Sequence, residues 1–259
     1  KRPKKNPLII HYHNIKNLKN DAILNDDFFK LYKRYCPGPL TFILKKSKKS
    51  KITSTANASL NSVAVRFPSH KVVRSILKHL SFPIAMPSAN ISSRLSPVCA
   101  LDVFDEFKNK LKIIINGGTS KLGIESTVID LTGKPKILRP GIISKRDLKK
   151  TLQKVFSKKN SKIKSPGMMK KHYSPGIPVI MNQKPIISNH AFIVFGKKYK
   201  NNKNYFNLSK KADLKEAAAN LYKTMRKIKK KGFKKILVTK IPKSGPGIAI
   251  NDRLLKASK

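Results

Sequence analysis

The hydrophobic pattern changes its period between residues 62 and 80, and this change limits the chain to folds that combine sheets with helices. In residues 62–67, Val63, Val65 and Phe67 alternate with small or polar residues, which is the period of a strand with one apolar face. In residues 70–80 the apolar side chains recur every three or four positions, as in an amphipathic helix. A strand followed directly by a helix is the building unit of α/β folds.

The same alternation continues along the chain and predicts an α/β protein of two domains. We expect strands at residues 8–12, 39–44, 62–67, 83–86, 112–115, 126–131, 136–138, 178–181, 191–195 and 235–239. We expect helices at residues 26–35, 70–80, 101–111, 212–230 and 250–257, and another that Ser144 caps with Asp147 three residues later. A Lys/Ser/Gly/Pro-rich segment at residues 157–175 predicts a domain of residues 1–157, a linker of residues 158–176 and a second α/β domain of residues 177–259 with three or four strands.

The net charge of +46 favours a polyanionic partner, but its composition weakens that interpretation. Of the 58 basic residues only nine are Arg, and the lysines are spread over all 259 residues. A dedicated nucleic-acid groove would favour clusters and arginine forks. A general enrichment in Lys and Asn is therefore the favoured explanation of the charge, although non-specific attraction to polyanions should follow from it in either case.

Several common chemistries have no counterpart in the sequence. Cys36 and Cys99 lie far apart without a Cys-x-x-Cys motif, which favours a reducing compartment over a zinc site or a disulfide framework. The phosphate-binding Gly-x-x-x-x-Gly-Lys-Ser/Thr and Gly-x-Gly-x-x-Gly motifs are absent, as is His-Glu-x-x-His. A bound triphosphate would therefore need scattered basic and hydroxyl groups.

Such groups occur at the ends of the predicted strands. Ser62 and Arg66 share the face opposite Val63 and Val65, and an arginine on an inner sheet face needs an anion: either a ligand carboxylate or a structural ion pair. His11 lies within a predicted strand, where it is either a ligand contact or a buried strand histidine.

A second polar group follows the predicted strand at residues 83–86. Ser88, Asn90 and Ser96 lie between prolines, in a segment that is either a set of fixed donors for an anion or an ordinary polar turn.

Six motifs in this order resemble the Sua5/YrdC/YwlC family of threonylcarbamoyl-AMP synthases, in its long form with YrdC-like and Sua5 domains. They are Arg2 to His11, Cys36-Pro-Gly-Pro-Leu-Thr41, Val63-Ala-Val-Arg-Phe-Pro68, Pro87-Ser-Ala-Asn90 with Ser96-Pro97, Glu125-Ser-Thr-Val128 and Leu138-Arg-Pro-Gly141. Residues 165–175 resemble the linker of the long form, and residues 247–257 resemble the end of its C-terminal domain. The resemblance implies a YrdC-like mixed sheet with helices, followed by a smaller Rossmann-like α/β domain.

The resemblance also implies a reaction: L-threonine, bicarbonate and ATP, with Mg²⁺, give threonylcarbamoyl-AMP and pyrophosphate. The product would serve the t6A modification of tRNA adenosine 37 through a downstream tRNA threonylcarbamoyltransferase complex. No catalytic nucleophile or protein-bound metal is expected, because alignment and charge neutralisation suffice for this chemistry. By resemblance the ATP contacts are Arg2, Asn6, Ser62, Ser88, Asn90, Ser96, Arg139 and Tyr173, and the threonine contacts are His11, Arg66, the backbone at Met86, and Ser126.

Two further expectations and one alternative accompany this interpretation. The family's Lys-x-Arg-Pro element lacks its Lys before Lys1, which suggests a chain without the family's first strand and helix. We expect a cytoplasmic protein without a membrane segment and with at most a weak tRNA contact.

The alternative is a non-catalytic YrdC-like module that binds RNA. Threonine-dependent turnover of ATP would distinguish the enzyme from this module. A YrdC module of a hydrogenase-maturation carbamoyltransferase would need cysteine pairs that the chain lacks.

Overall fold

The structure is a computed structural model that describes residues 6–157, 164–167, 172–186, 189–199 and 202–259. In chain order its elements are β1 (Ile9–His11), β2 (Ala22–Ile23), α1 (Asp26–Tyr35), β3 (Leu40–Lys46), α2 (Ser54–Asn57), β4 (Ser62–Arg66), α3 (Lys71–Lys78), β5 (Ile84–Ala85), α4 (Ala100–Phe107), β6 (Thr127–Asp130), β7 (Lys136–Arg139), α5 (Lys145–Lys149), β8 (Phe156–Ser157), β9 (Val179–Ile180), β10 (Ala191–Val194), β11 (Tyr205–Asn207), α6 (Leu214–Lys230), β12 (Ile236–Val238) and α7 (Pro246–Ala257). They form two compact units: the described residues of Lys1–Pro87 with Ser126–Met169, and those of Ser88–Glu125 with Lys170–Lys259.

The first unit is built on a mixed sheet with the strand order β5-β1-β4-β3-β6-β7-β8, and β2 also pairs with β3. β1 runs parallel to β4 and β3 runs parallel to β6, whereas β3 and β4 are antiparallel. The sheet thus contains both kinds of ladder, as the resemblance implied.

The two faces of this sheet carry different residues. Val63, Val65 and Phe67 belong to the main core, which also contains Phe28 and Leu31 of α1. A smaller apolar cluster covers the other face and consists of Ile9, Ile43, Ala64, Val128 and Leu138. The predicted alternation in residues 62–67 is therefore confirmed.

Local capping fixes where the helices of the first unit begin. The Asn25 side chain accepts a hydrogen bond from the Phe28 amide at 3.0 Å, so α1 begins at the predicted residue. Ser144 and Asp147 form a reciprocal capping box at the start of α5, which confirms the prediction for that helix.

The second unit contains a parallel four-stranded sheet in the order β11-β10-β12-β9, with α6 and α7 in the same unit. Residues 88–125 join it through contacts with α6: Arg226 pairs with Asp102 at 3.3 Å, and Lys230 pairs with Asp105 at 2.6 Å. The predicted class, an α/β chain with a mixed sheet and a smaller parallel α/β unit, is confirmed. The predicted boundaries at residues 157 and 176 stay a prediction.

The strand predicted at residues 112–115 is wrong. No strand forms there, and Ile113 and Ile115 are 80% and 61% exposed. Three consecutive isoleucines imitate a buried strand, but a strand also needs a neighbour that takes up its backbone hydrogen bonds. Sequence analysis also missed the short elements β2, α2, β8 and β11 and placed the start of α7 too late, since Pro246 occupies its first turn.

Candidate active site

A row of polar residues crosses one face of the sheet in the first unit. His11 of β1 pairs in register with Arg66 of β4, and Arg66 pairs with Thr41 of β3. Thr41 is in turn opposite Val128 of β6. Side chains in register on neighbouring strands project to the same face, so His11, Arg66 and Thr41 share the face of the smaller apolar cluster.

Ser126 joins this row just before β6 begins. Its hydroxyl lies 2.7 Å from the Thr41 hydroxyl, and it accepts a hydrogen bond from Nη2 of Arg139 at 3.0 Å. Nε of Arg139 donates to the Ser126 carbonyl at 3.0 Å, and Nη1 donates to the Pro166 carbonyl at 2.9 Å. Since Arg139 is 3% exposed and each of its three nitrogens donates within the protein, it holds Ser126 in place.

Arg66 is the cation of this row whose terminal guanidinium nitrogens make no hydrogen bond with the described residues. Its Nε donates to the Gly38 carbonyl at 3.2 Å, while no carboxylate of the described residues lies within 4.0 Å of its guanidinium. Burial and the charge of Arg139 lower the pKa of Arg66 from 12.5 to about 10. A partly buried guanidinium near a second one, with no carboxylate partner among the described residues, has the chemistry to accept an external anion.

His11 contributes a neutral imidazole to the same face. Burial, and then the charge of Arg66, lower its pKa from 6.5 to about 4. Its Nδ1 lies 3.0 Å from the Ile9 carbonyl, which can only accept, so this contact favours the tautomer with the proton on Nδ1. The neighbouring Met86 amide donates to the same Ile9 carbonyl at 3.2 Å, which ties the segment after β5 to β1.

All four predicted threonine contacts therefore belong to the first unit, and register or hydrogen bonds connect them. Their role stays a prediction. Thr41 was missed as a site residue, although it ends the Cys36–Thr41 motif. Its register position opposite Arg66 could have revealed it, had the pairing of β3 with β4 been known.

The predicted ATP contacts divide between the two units. Asn6 and Ser62 are buried residues of the first unit, with Arg139, and Arg2 lies outside the described residues. Ser88, Asn90, Ser96 and Tyr173 belong to the second unit. The hydroxyl of Ser88 donates to the side-chain carbonyl of Asn90 in an exposed turn. These assignments stay predictions.

Ser96 and Tyr173 both contact a buried network of the second unit that sequence analysis missed. Ser96 donates to Glu125, and Nε of Arg253 pairs with Glu125 at 2.9 Å. The Tyr173 ring is 1% exposed, stacks on Tyr222 at 5.7 Å and lies 5.1 Å from the Arg253 guanidinium. No local motif marks Arg253: Asp252 is its neighbour in sequence, but Glu125 and Tyr173 are 80 or more residues away along the chain.

Two features are absent from the part of the chain that the structure describes. It holds no group of three or more His, Cys, Asp and Glu residues that could bind a metal ion. Among its helices, none has both the length and the apolar character needed to cross a membrane.

The fold and the site together define a class of protein: an α/β protein whose mixed sheet presents basic, imidazole and hydroxyl groups on one face. Residues 1–141 match the family model of Sua5, YciO and YrdC, described as telomere recombination, and residues 143–259 match the C-terminal domain of threonylcarbamoyl-AMP synthase. The chain belongs to the Sua5/YciO/YrdC family.

Relatives support this assignment over almost the whole chain. The threonylcarbamoyl-AMP synthase of Pyrococcus abyssi is 34% identical over 99% of this chain and 81% of its own length. The synthase of Bacillus subtilis is 31% identical over 99% of this chain and 80% of its own. The crystal structure of P. abyssi Sua5 complexed with L-threonine superposes with a TM-score of 0.89 at 33% identity, over 99% of this chain and 81% of that one.

Proposed function

We propose that this chain is an L-threonylcarbamoyladenylate synthase, which forms threonylcarbamoyl-AMP and pyrophosphate from L-threonine, bicarbonate and ATP. The observation that carries the proposal is the Arg66 guanidinium, which faces Arg139 without a carboxylate partner among the described residues, in register with His11 and Thr41. Relatives with the synthase name, and one solved with L-threonine, support threonine as the ligand of this anion site.

Threonine recognition follows from the chemistry of the row. The substrate carboxylate pairs with the terminal nitrogens of Arg66 in a charge-assisted, two-pronged contact. Neutral His11 and the hydroxyl of Ser126 supply acceptors for the polar atoms of the amino acid, and the backbone at Met86 borders the same end of β1. Because Arg139 and Thr41 hold Ser126, its hydroxyl is positioned before a ligand arrives.

The reaction is a substitution at the α-phosphorus of ATP, which depends on alignment of the reactants more than on acid–base catalysis. The amine of threonine takes up bicarbonate with loss of water and becomes a carbamate. A carbamate oxygen then forms a bond to the α-phosphorus of ATP, the bond to the bridging oxygen of the β-phosphate breaks, and pyrophosphate leaves with that electron pair. Since carbamate and triphosphate are both anions, cationic groups lower the barrier by offsetting their repulsion.

Mg²⁺ enters this proposal as part of the nucleotide substrate. The described residues offer no cluster of carboxylates and histidines that would hold the ion alone, so the triphosphate supplies its ligands. Asn6 and Ser62, both buried in the first unit, are the proposed nucleotide contacts on that unit.

The test measures pyrophosphate release from ATP with and without threonine and bicarbonate, on this chain and, where the gene encodes further residues, on the longer product in parallel. Release that depends on both co-substrates supports the synthase, and loss of release in Arg66→Gln but not in Arg74→Gln assigns it to this site. Release that ignores threonine, or no release by either folded protein, contradicts the proposal. Only RNA binding without turnover would favour the alternative RNA-binding module.

The remaining steps are proposals of the same kind. The mixed anhydride would pass to a downstream threonylcarbamoyltransferase complex that modifies tRNA, in the cytoplasm. Addition of such a complex and tRNA to the reaction should produce t6A only when this chain and threonine are both present.

A further inference from the structure

The second unit contains a cavity of about 520 Å³ that takes no part in the proposed reaction. It lies over one face of two neighbouring parallel strands, since Val194 of β10 and Tyr205 and Asn207 of β11 share a face of the sheet. Tyr199, Asn202 and Lys203, in the segment that joins the two strands, form the other wall.

The cavity combines aromatic surface with positive charge. Tyr199 and Tyr205 are half-buried and meet edge to face, with ring centroids 6.3 Å apart. Lys203 and Lys210 are exposed at its rim, and none of the described lining residues is acidic. A cation can pair with a phosphate, whereas a tyrosine ring offers a surface on which a planar base can stack.

Hydrogen bonds hold the walls of the cavity in place. The Asn207 side chain donates to the Gly196 carbonyl at 2.9 Å and accepts from the Ser209 amide at 3.1 Å. Asn202 accepts from the Asn204 amide at 2.9 Å, and its carbonyl accepts from the Tyr205 amide at 3.0 Å. Because both asparagines are held by the backbone, the cavity is a formed feature of this unit.

We propose that this cavity binds a nucleotide unit, in which the base packs against Tyr199 and Tyr205 while the phosphate pairs with Lys203 and Lys210. Its volume is in the range of small-molecule sites and far exceeds that of a lone phosphate. The ligand is either a free mononucleotide or one nucleotide of a single-stranded RNA, and the two sources share this chemistry.

The absence of Trp from the sequence provides a specific reporter. Tyr199→Trp places a single indole in the cavity, and Tyr205→Trp is a second reporter in case the first variant misfolds. Phe29→Trp is the matched control, because Phe29 is 46% exposed on α1 in the first unit. The probes are AMP and an oligouridylate of about eight nucleotides, at about 0.3 M salt, which suppresses attraction between exposed charges.

We expect saturable quenching of the indole at position 199 or 205 and none of the indole at position 29. Quenching by AMP and the oligomer alike identifies a mononucleotide site, whereas quenching by the oligomer alone identifies an RNA site. In the Tyr199→Trp background, Lys203→Gln should weaken binding about fivefold, and the exposed Lys215→Gln of α6 should change it less than about twofold.

Two results would overturn the proposal. One is that neither cavity reporter responds, or that the control at position 29 responds equally. The other is that polyglutamate quenches the cavity indole as strongly as the oligomer does, since that would make the cavity a general polyanion site without a base contact.

Discussion

Replacing Arg66 by Gln should stabilise the unliganded protein and at the same time weaken threonine binding roughly 100-fold. The folded protein lowers the pKa of Arg66 from 12.5 to about 10, and each pKa unit corresponds to about 1.4 kcal/mol against the charged form. The shift therefore corresponds to about 3 kcal/mol, and partial exposure of the side chain reduces the effective cost to about 2 kcal/mol. Loss of the hydrogen bond to the Gly38 carbonyl costs about 1 kcal/mol, which leaves a net gain of about 1 kcal/mol.

The opposite effect is expected when threonine is present. Removing one partner of a buried charge pair weakens binding by about 3 kcal/mol, or roughly 100-fold. Urea unfolding without threonine measures the first effect, and isothermal titration calorimetry with threonine measures the second. Arg74→Gln is the control, because Arg74 lies on α3 and donates to the His13 carbonyl at 3.3 Å. It should change stability by less than about 1 kcal/mol and leave threonine binding intact.

The reasoning is refuted if Arg66→Gln is less stable than the parent protein by more than about 1 kcal/mol. That result would mean that the unliganded protein already supplies Arg66 with a compensating anion. Unchanged threonine affinity in Arg66→Gln would refute the assignment of the carboxylate contact.

Three further predictions concern His11, Ser126 and Gly123. The folded protein lowers the pKa of His11 to about 4, so as the pH falls the unfolded chain takes up a proton at this residue before the folded protein does. The free energy of unfolding should therefore fall by up to about 3 kcal/mol between pH 6.5 and pH 4. His11→Gln should remove this dependence when urea unfolding is measured at several pH values. Ser126→Ala leaves the Thr41 hydroxyl and one Arg139 donor unpaired in a buried place and should cost about 2–4 kcal/mol by chemical denaturation. Gly123→Ala should cost at least about 3 kcal/mol in the same assay, because φ is +68° and a Cβ would lie 2.5 Å from the Ala219 backbone.

Each of these predictions has a control within the chain. His13→Gln, the same substitution at a half-exposed histidine two residues along, is the matched comparison for His11→Gln. Ser88→Ala removes an exposed hydroxyl, and Gly133→Ala adds a Cβ with no atom within 4 Å; both should stay within about 0.5 kcal/mol of the parent. If Ser126→Ala is as stable as Ser88→Ala, the buried hydrogen bonds of Ser126 do not contribute as predicted. If Gly123→Ala is as stable as the parent protein, the predicted clash with the Ala219 backbone is wrong.

The sequence was informative wherever a local pattern dictates the structure. The alternation in residues 62–67 predicted correctly that Arg66 projects away from the main core, because the period of a strand leaves two faces. The capping residues of α5 lie three positions apart, so the start of that helix was readable without tertiary information. The motif order suggested the family that the comparisons confirm.

The sequence was misleading wherever the outcome depends on a distant partner. Residues 112–115 have the composition of a strand but no pairing neighbour, and their isoleucines are exposed. Arg139 stays a predicted contact for ATP, but no sequence pattern indicated that its nitrogens donate to Ser126 and Pro166, because those contacts depend on how β6 and β7 pair.

By itself, therefore, the sequence determined the α/β class, the face on which Arg66 lies, and the set of residues that the family motifs contain. Only the tertiary structure decided that Arg66 keeps free donors while Arg139 holds Ser126, and that Arg253 pairs with Glu125 across more than 120 residues. The physical reason is that periodicity and capping act over a few residues along the chain. Strand pairing and packing between segments far apart in sequence decide which group pairs with a charged side chain. They also decide how deeply that side chain is buried and therefore how far its pKa shifts.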